Sequence, residues 1–119
     1  MDVRLKRIYD GVAPDDGYRV LVDRLWPRGV SKEKAHLDLW LKEAAPSPEL
    51  RTDWHHHEEN WDEFAADYRA ELATNAAVDT LVELAKEHPR VTLLYAAHDI
   101  ERNHVVILND VLEQRFSVA

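Results

Sequence analysis

The sequence predicts an α/β fold: a small, partly parallel sheet of about four strands packed with helices, forming a single compact domain over residues 1–119. Three observations support this prediction. The length of 119 residues suits one domain and leaves too little core for two. Short apolar runs typical of strands are followed by longer segments with apolar residues at helical spacing. Strands separated by helical crossovers favour parallel pairing in one sheet.

The expected strands are the short apolar runs. Val3 to Ile8 alternates apolar and charged residues, while Tyr18 to Asp23 is rich in β-branched and apolar residues and is expected to be the central strand. Leu37 to Leu41 alternates more weakly, and Val91 to Ala96 is a compact apolar run bounded by Pro89. Together these runs supply the four strands.

The expected helices begin at residues that can cap a helix or at apolar stripes of helical spacing. Asn60 with Glu63 has the spacing of a capping-box variant, in which each side chain bonds to the backbone of the other. In chain order, helices are expected from Ser31 through Ala35, after Ser47-Pro48, after Asn60, from Asn75 to Pro89, and from His104 to Phe116.

Composition excludes several classes of function. The chain has no cysteine, which rules out disulfides, thiolate zinc sites, iron-sulfur clusters and thiol nucleophiles. The net charge of -8 argues against broad binding to nucleic acid or to an anionic membrane. No run approaches the roughly 20 apolar residues of a membrane span, and the N-terminus lacks the apolar core of a secretory signal. We therefore expect a cytoplasmic protein with no membrane partner.

The charge is unevenly distributed along the chain. Residues 1–34 contain eight Lys or Arg against six Asp or Glu, whereas residues 35–119 contain seven against seventeen. Positive charge is concentrated at the front of the chain, and this is where an anion is expected to bind. The alternative is that basic and acidic faces pair with each other or keep the domain soluble.

A first candidate loop follows the second strand. Ligands of open α/β sheets lie beyond the carboxyl ends of strands. Arg24 and Arg28 carry guanidinium groups that can bind phosphate or carboxylate through two hydrogen bonds, and Trp26 between them can serve as a stacking surface. The helix entry at Ser31 adds exposed amides. The alternative is that the arginines pair with acids or brace the loop, and that Trp26 fills the core.

A second candidate loop follows the last strand and shares the first loop's rim if the two strands are parallel neighbours. His98, Asp99 and His104 can move protons or bind a metal, and they are the candidates for both roles. Tyr95 and Asn103 add polar contacts. The alternative is that Asp99 caps the last helix and that the histidines are exposed or hydrogen-bonded side chains.

Standard templates name no reaction for this sequence. The GxxxxGK[ST], GxSxG, HExxH and EF-hand patterns are absent, and no His-x-His or His-x-x-x-His pair occurs in the second loop. The run His55-His56-His57 lies between two predicted helices, and adjacent residues seldom face one metal, so it is predicted to be a solvated loop. The sequence indicates no particular cofactor, so the cofactor is unknown.

The block Asp23-Arg24-Leu25-Trp26-Pro27-Arg28-Gly29 is the most specific stretch of the chain. With it, the sequence resembles the YeaO-like family of the domain-of-unknown-function group 488, known as uncharacterised small bacterial proteins. Related sequences commonly have Arg at the position of His98 and His at that of Arg102. The similarity spans nearly the whole chain and includes residues 15–32, 37–42, 45–47, 49–51, 68–72, 92–97 and 103–104.

Three functional hypotheses follow. The first is a small enzyme or sensor that binds a phosphate- or carboxylate-bearing ligand at the two loops. The second is a divalent-metal protein that uses His98, Asp99 and His104. The third is an interaction module in which Trp40, Trp54 and Trp61 are exposed together and dock a partner. The sequence leaves open whether the protein is an enzyme and whether it forms a homo-oligomer.

Overall fold

The strands form one sheet in which every pairing is parallel. A computed structural model describes residues 1–118. Its strands are β1 (Val3–Arg7), β2 (Tyr18–Leu21), β3 (Leu39–Trp40) and β4 (Val91–Tyr95), arranged in the order β1-β4-β2-β3. The predicted α/β class is confirmed. Strand β2, the strand expected to be central, is one of two interior strands, and β4 is the other.

The third strand is shorter than its alternating pattern predicts. Only Leu39 and Trp40 pair with β2, opposite Val20 and Leu21. Directly after Leu41 the chain turns into a 3-10 helix at Lys42–Ala44. The pairing therefore ends after two residues.

The helices begin close to the predicted capping residues. They are α1 (Lys32–Ala35), α2 (Pro48–His56), α3 (Trp61–Leu72), α4 (Ala76–Glu87) and α5 (His104–Val118), with further 3-10 turns at Ile8–Asp10 and Pro14–Asp16. Ser31 Oγ accepts from the Lys34 N–H at 3.1 Å, and Ser47 Oγ accepts from the Leu50 N–H at 3.2 Å. These two caps are confirmed. No helix within residues 1–118 has the length and apolar character needed to cross a bilayer.

The capping box predicted at Asn60 and Glu63 is wrong, although α3 does begin at the next residue. The Asn60 side chain makes no capping hydrogen bond. Its backbone N–H already donates to His57 O at 2.9 Å in the preceding turn. In a capping box the Glu side chain accepts a hydrogen bond from this backbone N–H. Because the N–H is already bonded in the turn, one of the two hydrogen bonds of the capping box cannot form.

Side chains alternate between the two faces of the sheet and pack into two separate hydrophobic cores. Val20 and Leu93 belong to the larger core, which includes buried residues of α3, α4 and α5. Their neighbours Leu21 and Leu94 belong to a smaller core with Ile8 and Ala35. This alternation is the period of two expected of strands buried on both faces. It explains why consecutive residues within the strands, Val20-Leu21 of β2 and Leu93-Leu94 of β4, are apolar.

The parallel pairing of β2 with β4 brings the two candidate loops together. Directly after β2, the Val22 N–H donates to Leu94 O of β4 at 3.1 Å. The Ala96 N–H then donates to Asp23 Oδ2 at 2.9 Å. The loops that follow both strands therefore leave the sheet side by side at its carboxyl edge.

Candidate functional site

A cavity of about 420 Å³ lies at the carboxyl edge of the sheet. Residues 23–28 after β2 and residues 96–97 and 102–104 after β4 form two of its sides. A third side comes from α2, where Arg51, Trp54 and His55 line the cavity. These residues are three and four positions apart, so they share one face of the helix. The cavity thus has the position expected of a ligand site in a parallel α/β sheet.

Arginine dominates the charge of this cavity. Arg24, Arg28, Arg51 and Arg102 line it, and Asp23 is the one carboxylate among the described lining residues. Within residues 1–118 none of the four arginines forms an ion pair. The side chains of Arg28, Arg51 and Arg102 also make no hydrogen bond there, whereas that of Arg24 does. The arginines that do pair with carboxylates are Arg4, Arg19, Arg69, Arg90 and Arg115.

Arg24 is oriented by the segment that precedes α2. Its Nε donates to Pro46 O at 3.1 Å, and its Nη2 donates to Ala45 O at 3.3 Å. These bonds fix the plane of the guanidinium while its charge remains uncompensated by a carboxylate within the described part of the chain. Arg24 therefore both braces the loop and contributes charge to the cavity.

Three side chains fix the backbone of the arginine-bearing loop. Trp26 Nε1 donates to Val30 O at 2.7 Å, and Trp40 Nε1 donates to Asp23 O at 2.7 Å. The Tyr9 hydroxyl donates to Arg28 O at 3.0 Å. These bonds attach the loop to its own chain, which reduces the entropy that a ligand must overcome on binding.

Asp23 and His104 form a largely buried pair beside this loop. Asp23 Oδ1 has no hydrogen-bond donor within residues 1–118 and lies 3.4 Å from His104 Nε2. The same Nε2 lies 2.9 Å from Val22 O, a contact that requires a proton on Nε2. Burial raises the pKa of Asp23, and His104 would oppose the change only if it were protonated. Burial lowers the pKa of His104, although the Asp23 carboxylate opposes it. His104 is therefore neutral at pH 7.

The structure separates the three candidates for catalysis. His104 lines the cavity, at the start of α5. Asp99 is exposed, and its Oδ1 accepts from the Glu101 and Arg102 N–H groups at 2.9 Å each, which hold its pKa below the usual range. His98 is exposed and lies 3.4 Å from an Arg7 nitrogen. Neither Asp99 nor His98 lines the cavity.

Asn103, and not Asp99, caps the last helix. Its Oδ1 accepts from the Val105 N–H at 2.9 Å and the Val106 N–H at 3.2 Å, while its Nδ2 donates to Asp99 O at 2.8 Å. The alternative in which Asp99 caps α5 is therefore wrong, because Asp99 Oδ1 is occupied by amides of its own turn. Asn103 also lines the cavity.

Two residues predicted to contact a ligand lie away from the cavity. Ser31 is exposed and caps α1, which is only four residues long. Tyr95 is buried in the larger core, and burial raises the pKa of its hydroxyl. Arg24, Trp26, Arg28 and Asn103, from the same set, do line the cavity.

The metal hypothesis receives no support from the geometry. No group of three or more His, Asp or Glu side chains among residues 1–118 is arranged to hold a metal ion. The prediction that the histidine run is a loop is wrong for His55 and His56, which form the last turn of α2, because the helix capped by Ser47 continues past Trp54. His57 follows that turn, and its N–H donates to Asp53 O at 3.0 Å.

The tryptophans do not form one exposed cluster. Trp40 packs edge-on against Trp26, with ring centroids 5.3 Å apart. Trp54 instead packs edge-on against Trp61 at 5.4 Å, and both are partly buried against the larger core. The docking surface of the third hypothesis is therefore divided between two pairs.

Sequence reasoning missed two important lining residues, Arg51 and Trp54. A usable signal was present, because Arg51 and Trp54 are one turn apart on the helix predicted after Ser47. Arg102 lies in the second candidate loop, and because the first loop runs alongside, that position indicates a role at the rim.

Comparison with known proteins identifies the family. A family model described as "Inactive DUF488-N3 subclade" matches residues 2–119. The chain belongs to this family. The resemblance to the YeaO-like family is confirmed as well, because the chain is 44% identical to the uncharacterized protein YeaO of Escherichia coli (strain K12) over 113 residues, covering 94% of this chain and 97% of YeaO.

A second relative extends the family match to another bacterium. The chain is 44% identical over 115 residues to the uncharacterized protein Rv3073c of Mycobacterium tuberculosis (strain ATCC 25618 / H37Rv), covering 95% of each chain. No solved structure gives a significant match. The family match therefore covers almost the whole chain, and the relatives' names state no activity.

Proposed function

We propose that this DUF488 family protein binds a small anionic ligand, phosphate- or carboxylate-bearing, in the cavity at the carboxyl edge of the sheet, and that it acts as a sensor or binding protein. One observation carries the proposal: four arginines line a single cavity, and within residues 1–118 none of them forms an ion pair with a carboxylate. Guanidinium groups bind phosphate and carboxylate through two parallel hydrogen bonds.

The electrostatics favour an anion from outside the chain. Four guanidinium charges around one cleft repel one another, and Asp23 is the single carboxylate among the described lining residues that offsets them. Arg51 lies close enough to favour the ionised form of Asp23. A cleft lined by one sign of charge concentrates ions of the opposite sign. An anion in the cavity would relieve this repulsion.

Two observations favour binding over catalysis. The family model that matches the chain is described as inactive. Of the three candidate catalytic side chains, His104 alone lines the cavity, and its Nε2 is engaged by Val22 O. The proposed role therefore needs no proton transfer.

The test compares two double variants that remove the same charge. Arg28→Ala with Arg102→Ala removes arginines that make no side-chain hydrogen bond within residues 1–118. Arg69→Ala with Arg115→Ala removes an exposed and a half-buried arginine, which pair with Asp110 and Asp79 outside the cavity. Binding of inorganic phosphate, ribose 5-phosphate and citrate is measured by calorimetry and thermal shift at fixed ionic strength.

We expect at least one anion to bind the wild type, and the cavity variant to lose about tenfold or more in affinity, since a charge-assisted contact contributes about 1.5–3 kcal/mol. The control variant is expected to stay within about twofold of the wild type, because its changes lie outside the cavity. Equal responses from the two variants, or no binding to the wild type, would contradict the proposal. Arg24→Ala is less informative, because it also removes the bonds to Ala45 and Pro46.

A further inference from the structure

The cavity has an aromatic wall as well as its arginines, and we infer from this combination that the ligand is a free nucleotide. In this arrangement the base lies against Trp54 and the phosphate is bound by Arg28 and Arg102. The inference rests on the proposed function and names the class of its ligand.

Trp54 is held as a rigid surface at the cavity wall. It is half-buried and stacks on Phe64, with ring centroids 4.8 Å apart and planes 30° apart. Trp61 packs edge-on against Trp54 at 5.4 Å, and Phe64, itself 4% exposed, stacks further on Tyr68 at 5.9 Å. An indole supported in this way loses little conformational entropy when a flat ring stacks on it.

The aromatic and basic groups are placed within reach of one ligand. Arg51 and Trp54 project from one face of α2 into the cavity, while Arg28 and Arg102 approach from the two strand-end loops. An inorganic phosphate or a citrate would satisfy the arginines and leave the indole uncovered. A ligand with a flat base and a phosphate would satisfy both. The cavity volume of about 420 Å³ lies in the range of small-molecule sites.

The charges outside the cavity favour a single nucleotide over a nucleic-acid strand. Binding of a strand relies on basic side chains that follow its phosphates beyond one site. Outside the cavity Arg69, Arg90 and Arg115 bond to Asp side chains, and Arg7 donates to Ala97 O at 2.8 Å. Lys32 and Lys34 are exposed, but they lie on the single short helix α1 and do not form an extended basic track. The net charge of -8 would also oppose a longer anion.

The first arm of the test uses the wild-type chain alone. Calorimetry at fixed ionic strength compares AMP, adenosine, ribose 5-phosphate and a tetranucleotide. Base stacking predicts that AMP binds about tenfold or more tightly than ribose 5-phosphate, and the phosphate predicts that AMP binds about tenfold or more tightly than adenosine. If the tetranucleotide binds more than about tenfold tighter than AMP, the ligand is a strand and the inference is overturned.

The second arm locates the base. Trp54→Leu is expected to abolish the advantage of AMP over ribose 5-phosphate while changing the affinity for ribose 5-phosphate by less than about twofold, whereas Trp54→Phe keeps most of the advantage. An unchanged advantage in Trp54→Leu would overturn the placement of the base. The comparison of ligands on the wild type stands even if Trp54→Leu does not fold.

The outcomes separate the two proposals. If ribose 5-phosphate binds in a manner that depends on Arg28 and Arg102, and AMP binds no more tightly, the nucleotide inference fails and the proposed function survives. If no anion binds with this dependence, both fail.

Discussion

Strand β2 has a carboxylate at each end, and the protein surrounds the two in opposite ways. Asp16, before the strand, accepts hydrogen bonds from the Ala13 N–H at 2.9 Å, from Lys6 Nζ at 3.0 Å and from the Arg19 guanidinium. Asp23, after the strand, accepts one from the Ala96 N–H, and its second oxygen has no donor within residues 1–118. The first end is saturated by the chain itself, and the second is not.

The arginines at the two ends differ in the same way. Arg19 is 3% exposed and donates to Asp16, to His36 O and to Ala35 O. Arg28 and Arg102 are exposed and make no side-chain hydrogen bond within the described chain. One residue type thus supports the fold where the chain supplies its acceptors. It is available for a ligand where the chain does not.

The pKa shifts record this contrast. Burial disfavours the Asp16 carboxylate, but the Ala13 N–H, Lys6 and Arg19 outweigh it and hold the pKa of Asp16 below its usual range. For Asp23 burial outweighs the charge that a protonated His104 would carry and the Ala96 N–H, and the pKa rises. Ionised Asp16 therefore stabilises the fold, whereas ionised Asp23 is maintained at a cost in stability.

The largest effect is expected at the saturated end. Asp16→Asn should lower the free energy of unfolding by about 3–5 kcal/mol, because it leaves the buried Arg19 charge uncompensated. Asp15→Asn is the matched control at an exposed neighbour and should cost no more than about 1 kcal/mol. Urea unfolding measures both. Similar small losses of unfolding free energy in the two variants would contradict the claim that the two ends of β2 differ.

An intermediate effect is expected from the loop that carries the arginines. Trp26→Phe should cost about 1 kcal/mol, because Val30 O loses its indole donor. If the loop is preorganised as the structure indicates, the variant should also bind the anion less tightly, because the ligand must then order the loop. Urea unfolding and calorimetry measure the two changes. A loss of stability without any loss of affinity would show that ordering the loop is irrelevant to binding.

A smaller, pH-dependent difference is expected from His104. Its pKa in the folded state lies below the ordinary value of about 6.5. The unfolded chain therefore takes up the proton first as the pH falls, and the stability that neutral His104 contributes is lost below about pH 6.5. Urea unfolding between pH 7 and pH 5 should show a shallower loss in His104→Gln than in the wild type. Equal slopes in the two proteins would contradict the assignment.

The smallest effect on the free energy of unfolding is expected at the cavity arginines that are proposed to bind the ligand. Arg28→Ala with Arg102→Ala should change the free energy of unfolding by less than about 0.5 kcal/mol, since both side chains are exposed and neither makes a hydrogen bond or an ion pair within residues 1–118. Urea unfolding of the ligand-free variant measures it. A loss above about 1 kcal/mol would mean that these arginines support the fold after all.

The sequence was most informative where its signals are local. The apolar runs of β2 and β4 and the Ser47-Pro48 helix start depend on neighbouring residues, and they predicted the elements correctly. At Asn60 a local signal failed, because the preceding turn had already used the backbone N–H. The extent of β3 also escaped prediction, because it depends on where the chain turns away from β2.

Only part of the site could be predicted from the sequence, because the positions of its other residues depend on tertiary packing. Arg24 and Arg28 stand out in one distinctive block. The face of α2 that meets the cavity, with Arg51 and Trp54, is set by the stacking of Trp54 on Phe64 of α3. His104 reaches Val22 across 82 positions of sequence because β2 and β4 are neighbours in the sheet. Neither contact is encoded in a local pattern.

The most direct test of the central claim observes the arginines individually. Arginine Nε–H signals, assigned by NMR, are followed as ribose 5-phosphate is added. We predict that the signals of Arg28, Arg51 and Arg102 shift with a common binding curve and that the Arg19 signal stays in place. Shifts of the Arg19 or Arg69 signals comparable to those of the cavity arginines, or no shift at all, would contradict the account.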